Sequence, residues 1–149
     1  RTVARMKGDP EEPVIDVEVT VDFLPLGAEE DSADHAAAIP ITYIEDETLR
    51  VRLYRRIASL NRLTLVDELE AELRDRFGVL PEPAQRLLLL SRIKIAAAEK
   101  GIQKIEVQEE KLIMIRRRDF IMKDGKFPRL PHAAPTTRLT KLFKLITLL

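Results

Sequence analysis

Residues 81–107 read PEPAQRLLLLSRIKIAAAEKGIQKIEV, and this stretch decides the architecture. Proline is tolerated in the first turn of a helix, so Pro81-Glu82-Pro83 opens one, and Gly101 stops it after Lys100. Between these signals, Leu87, Leu88, Leu89, Leu90, Ile93, Ile95 and the alanines at 96–98 place apolar groups almost all round the cylinder. A helix with no wet stripe is a buried one, so this segment is expected at the centre of the domain. Arg92 and Lys94 interrupt an apolar run already too short to span a bilayer. After Gly101 the period changes. Residues 102–107 and 111–115 are β-rich runs on either side of Gln108-Glu109-Glu110, which predicts a hairpin.

Downstream, residues 120–122 and 126–127 flank Asp124-Gly125, a dipeptide that favours a tight turn, and predict a second strand pair. Pro128, Pro131 and Pro135 mark a Pro-rich extended linker over 128–135. Thr136 or Thr137 is then expected to cap a terminal helix with Leu139, Leu142, Phe143, Ile146 and Leu149 on one stripe.

Upstream, Thr64 with Asp67 three residues on approaches a capping box, and Val66, Leu69, Leu73 and Phe77 form the inward stripe of a helix that Gly78 stops. Glu68, Glu72 and Asp75 lie together on its outer face. Before it, Asp46 is an N-cap candidate for a helix burying Leu49, Leu53, Ile57 and Leu60, with Arg52, Arg55 and Arg56 opposite. Residues 14–23 alternate, with Ile15, Val17, Val19, Val21 and Phe23 on one face and Asp16, Glu18, Thr20 and Asp22 on the other, which predicts a strand. A flexible acidic loop is expected over 25–38, and residues 1–8 read as the tail of an upstream helix. The sum is a single α+β domain over 9–149, helices packed on a small, mostly antiparallel sheet.

Composition narrows the function. Of 149 residues, 25 are basic and 25 acidic, so no whole-molecule field attracts nucleic acid or anionic membrane, and such binding needs a local patch. Cysteine is absent, which removes disulfides, thiolate nucleophiles and cysteine metal sites; a cytoplasmic setting fits. With His35, His132, Ser32, Ser59 and Ser91 as the whole histidine and serine inventory, a hydrolytic constellation is hard to assemble. The five glycines are isolated, so no phosphate-cradling loop can form, and no metal or cofactor site is expected.

Two constellations stand out. Glu68, Glu72 and Asp75 form an acidic stripe without an interposed lysine, so they repel one another until a basic partner arrives. Arg52, Arg55 and Arg56 offer guanidinium groups suited to bidentate carboxylate pairing, whether with a partner or with the neighbouring helix. Arg116-Arg117-Arg118 is a weaker phosphate candidate, with few aromatics near it in sequence and Asp119 adjacent.

The segments at 39–46 (IPITYIED) and 50–58 (RVRLYRRIA), then 68–78 (ELEAELRDRFG), Leu80-Pro81-Glu82-Pro83 and Gly101-Ile102-Gln103-Lys104-Ile105 resemble the C-terminal domain of bacterial transcription-repair coupling factor (Mfd). The likeness runs over about residues 1–115 and is looser beyond. It implies a non-catalytic regulatory domain. In that family the parent protein is an ATP- and Mg-dependent double-stranded DNA translocase that displaces stalled RNA polymerase and recruits UvrA. Its C-terminal domain packs on the N-terminal UvrB-like module and hides the UvrA-binding surface. The family's acidic docking positions correspond here to Glu72 and Asp75, with Glu68 beside them. The rival readings are a nucleic-acid contact module using a local basic patch, an independent enzyme, and an appendage that only stabilises the fold.

Overall fold

The computed structural model describes residues 15–24 and 36–149. The elements follow the order β1 (Glu18–Val21), α1 (Glu47–Ala58), α2 (Leu63–Phe77), α3 (Glu82–Glu99), β2 (Ile102–Gln108), β3 (Lys111–Arg116), β4 (Asp119–Phe120) and α4 (Pro135–Thr147). One sheet has the order β1-β2-β3-β4, with β1 parallel to β2 and the other neighbours antiparallel. Three helices separate β1 from β2, which supplies the long crossover that a parallel pair needs. The α+β class and mostly antiparallel sheet agree with the sequence pattern.

The apolar wrapping of α3 has a direct structural consequence: the helix serves two cores. Ile93, Ala96 and Ala97 pack with Ile105 and Met114 of the sheet and Leu139 and Leu142 of α4. Ala84, Leu88 and Ile95 pack with Leu53 and Ile57 of α1 and Leu69 and Leu73 of α2. The helices therefore meet the sheet through α3 and α4, while α1 and α2 join from the other side of α3. Burying each such large aliphatic side chain contributes about 1.5–3 kcal/mol before entropy is charged against it.

Alternation in β1 works as expected, with Val17 and Val21 buried and Asp16, Glu18, Thr20 and Asp22 at the surface, although the paired strand is shorter than 14–23. Expectations for residues 1–8 and for 25–35 lie outside the described residues. At the end of that loop, Ala36 is fully buried, Arg86 Nε donates to its carbonyl at 2.7 Å, and Ala38 N–H donates to Pro83 O at 3.0 Å.

The expected cap at Asp46 forms, its carboxylate accepting from Leu49 N–H at 3.2 Å. Two other caps do not. The second helix starts at Leu63, with Arg62 at the cap position and no side-chain capping bond, because the would-be box carboxylate of Asp67 accepts from Arg92 of α3 instead. The last helix starts at Pro135 after Ala134; the Thr136 hydroxyl is engaged with Glu82 at 2.9 Å and Arg86 at 3.2 Å.

The second strand pair is also rearranged. Phe120 pairs back onto Ile115 of β3, and between 120–122 and 126–127 a single Lys123↔Lys126 bridge remains around Asp124-Gly125. Residues 128–135 are extended yet anchored: Leu112 N–H donates to Pro128 O, Leu130 N–H donates to Glu110 O, and Leu130 is fully buried. Among the described residues no helix is long and apolar enough to cross a membrane.

Candidate functional site

Burial of Val66, Leu69 and Leu73 on one stripe of α2 turns Glu68, Glu72 and Asp75 outward, and burial of Leu53 and Ile57 does the same for Arg52, Arg55 and Arg56 on α1. The shared core against α3 brings the two helices near enough for long side chains to meet. Arg56 then reaches Glu72 in a two-pronged pair, Nη1 to Oε2 at 2.9 Å and Nη2 to Oε1 at 3.0 Å. That hydrogen bond holds the Glu72 carboxyl below the usual carboxylate range and raises the Arg56 guanidinium further, with Glu68 adding attraction to Arg56. The pair is half exposed, at 44% for Arg56 and 40% for Glu72, so solvent screens it.

The expectation of a self-repelling acidic stripe is therefore corrected: its middle carboxylate is neutralised within the domain. Glu70, midway between Glu68 and Glu72 in sequence but off their stripe, is paired with Arg74 at 3.0 Å and Arg92 at 2.8 Å. Glu68, Asp75, Arg52 and Arg55 are exposed and make no ion pair among the described residues. The surface thus presents a fixed Arg56–Glu72 pair with unengaged carboxylates on α2 and unengaged guanidinium groups on α1.

The Asp75 end is braced by a residue that sequence reasoning passed over. Tyr43 sets its hydroxyl 2.8 Å from Gly78 O and 3.2 Å from Leu73 O, able to donate to one at a time. Its ring lies 5.8 Å from that of Phe77, over which Arg76 stacks at 5.0 Å, and burial pushes the Tyr43 phenol up. Gly78 takes φ +93°, a conformation other residues adopt only with strain. No periodic signal marks Tyr43, because its partners are backbone carbonyls more than two dozen residues away. Beside this turn, Val79 is 79% exposed.

The remaining candidates disperse. His132 lies 3.8 Å from both Glu109 and Glu110, and His35 is outside the described residues. Among the described residues no group of three His, Asp or Glu is placed to hold a metal ion. Arg116 turns back toward Lys100 O at 3.4 Å, leaving Arg117 and Arg118 at the surface. An apolar groove between α1 and α3 is lined by Ile15, Ile57, Leu60 and Leu87, and its Tyr54 hydroxyl is already accepting from Ile39 N–H at 2.7 Å.

A family model described as the TRCF domain matches residues 33–122, which includes α1 through β4 and both faces of the Arg56–Glu72 pair. The chain belongs to the TRCF domain family. The transcription-repair-coupling factor of Escherichia coli (strain K12) is 40% identical over 72 residues, 48% of this chain and 6% of that protein. That of Myxococcus xanthus is 30% identical over 145 residues, 97% of this chain and 11% of that protein. The chain thus spans only about a tenth or less of the length of these relatives. The TRCF fold is shared with a solved structure, the C-terminal domain of transcription-repair coupling factor, at TM-score 0.57 and 16% identity, covering 89% of this chain and 96% of that one. The matches are to this small domain and not to a motor domain.

Proposed function

We propose that this TRCF domain is a non-catalytic, autoinhibitory module that docks through its α2 ridge on the UvrB-like N-terminal module of a transcription-repair coupling factor. Docked, it masks the UvrA-binding surface and restrains the DNA translocase; UvrA, RNA polymerase and double-stranded DNA are partners of the parent protein, and ATP and Mg serve its motor region. The observation that carries the reading is the grouping of Glu68, Glu72 and Asp75 on one face of α2, with the central carboxylate oriented by its two-pronged pair with Arg56. An acidic group already oriented by a neighbour costs less entropy to engage than one free to rotate. A polar, half-solvated contact is also suited to release, since a coupling of about 1–3 kcal/mol is enough to bias a two-state switch.

The test is UvrA affinity of the resting full-length protein with Glu72→Gln, Asp75→Lys and the two combined. Tighter UvrA binding in the variants supports the clamp. Unchanged affinity with the domain still folded removes it, and a loss of thermal stability without change in UvrA binding or resting ATPase favours the stabilising appendage.

A further inference from the structure

The sheet has one face against α3 and α4 and one face open. Alternation in β3 sends Leu112 and Met114 into the core and turns Lys111, Ile113 and Ile115 to the open side. Phe120 pairs with Ile115, so its ring stands on that side too, 55% exposed. Phe127 meets it edge to face at 5.3 Å, and Lys111 Nζ lies 5.2 Å from the centre of the Phe127 ring. Phe120 is two residues from Arg118 in sequence, and the fold adds Phe127 to it as the second ring of a pair.

Charge accumulates at the same edge. Residues 111–126, KLIMIRRRDFIMKDGK, hold six basic and two acidic side chains in a chain whose total is zero. The β3–β4 connection is a two-residue loop, because Arg116 pairs with Asp119, and both of its residues are left-handed: Arg117 at φ +54° and Arg118 at φ +70°. Such loops favour Asn-Gly or Asp-Gly, since a Cβ is disfavoured at positive φ. The very next turn obeys the rule, with Asp124 at +54° and Gly125 at +75°. Turn geometry therefore does not account for two arginines at 117 and 118, and among the described residues neither makes an ion pair.

We propose that this edge binds single-stranded nucleic acid, bases stacking on Phe120 and Phe127 while Arg117, Arg118, Lys123 and Lys126 take the phosphates. Phe120 is exposed and Phe127 half-buried behind it, and a ring pair flanked by cations suits a strand that offers π faces and negative charge together. A duplex offers the phosphates with its bases already stacked, and an acidic peptide leaves the rings without a stacking partner.

The experiment is fluorescence anisotropy of a labelled oligothymidylate of about twelve nucleotides with the 149-residue chain, at about 50 and 200 mM salt, against a duplex of the same length and an acidic peptide. The single strand is expected to bind tightest, and Phe120→Ala to weaken it about ten-fold. Arg117→Asn combined with Arg118→Gly gives the loop its favoured turn residues, so thermal stability is expected to hold or rise. The same double variant is expected to lose affinity and to flatten the salt slope by about 1.4, at about 0.7 per phosphate contact for a single strand. Absence of binding at the lower salt overturns the proposal. So do preference for duplex or peptide over the single strand, and unchanged single-strand affinity in both variants.

Discussion

Arg138 on α4 is one of two arginines buried in the core, and its replacement by methionine tests how the sheet is tied to the last helix. The side chain is 3% exposed, stacks 4.3 Å from the centre of the Phe23 ring, and donates from Nη2 to Glu109 O at 2.6 Å and Leu130 O at 2.8 Å. Through those two bonds α4 holds both the β2–β3 turn and the extended segment before it. Arg138→Met keeps the apolar stem and removes the donors, leaving two carbonyls, one of them fully enclosed, each at a cost of about 1–3 kcal/mol. Part is recovered, because Nε has no hydrogen-bond partner among the described residues and its desolvation disappears with the charge. The net expectation is about 2–4 kcal/mol of destabilisation, read as a urea midpoint shift at unchanged slope. For a chain of 149 residues this corresponds to roughly 5–15 °C in Tm. Arg138→Lys, with a compact ammonium in place of the fork, should fall between. A methionine variant within about 0.5 kcal/mol of the parent would show that water replaces the guanidinium and that the strut carries no load.

Leu73 is 3% exposed in the core between α1, α2 and α3, so Leu73→Ala should cost about 2–5 kcal/mol in the same assay. Gly78→Ala meets no atom within 4 Å, so its cost is the backbone penalty at φ +93° alone, about 1–3 kcal/mol, checked by thermal melting. A double-mutant cycle on Arg56 and Glu72 should give a coupling of only about 0.5–1 kcal/mol at low salt, the upper part of the range for exposed pairs because the contact is two-pronged. The Glu72 carboxyl titrates lower in the folded chain than in the unfolded one, so this contribution is present above the unfolded carboxylate value of about pH 4.3 and is lost as pH falls through the lower folded value. Urea titrations of parent and Glu72→Gln should therefore converge on acidification; a gap that persists would assign the effect to another group.

Sequence alone determined the kind and order of the elements, because these follow from local properties. The two-sided apolar surface of the residues that became α3, the stops at Gly78 and Gly101, the Asp46 cap and the alternation from Ile15 to Phe23 are each legible within a few residues. The outward placement of Glu68, Glu72, Asp75, Arg52, Arg55 and Arg56 is legible for the same reason, since a buried stripe dictates its opposite. Partners are another matter. Asp67 serves Arg92 instead of its own helix start, Thr136 serves Glu82 and Arg86, Phe120 returns to β3 instead of pairing around Asp124-Gly125, and Glu72 is claimed by Arg56. In each case several local partners are chemically equivalent, differing by about 1 kcal/mol or less, while packing the two cores around α3 is worth many times that. The cores therefore settled which helices meet, and only that tertiary decision chose among the partners; it also turned a repelling acidic stripe into a braced ridge and set Phe127 against Phe120.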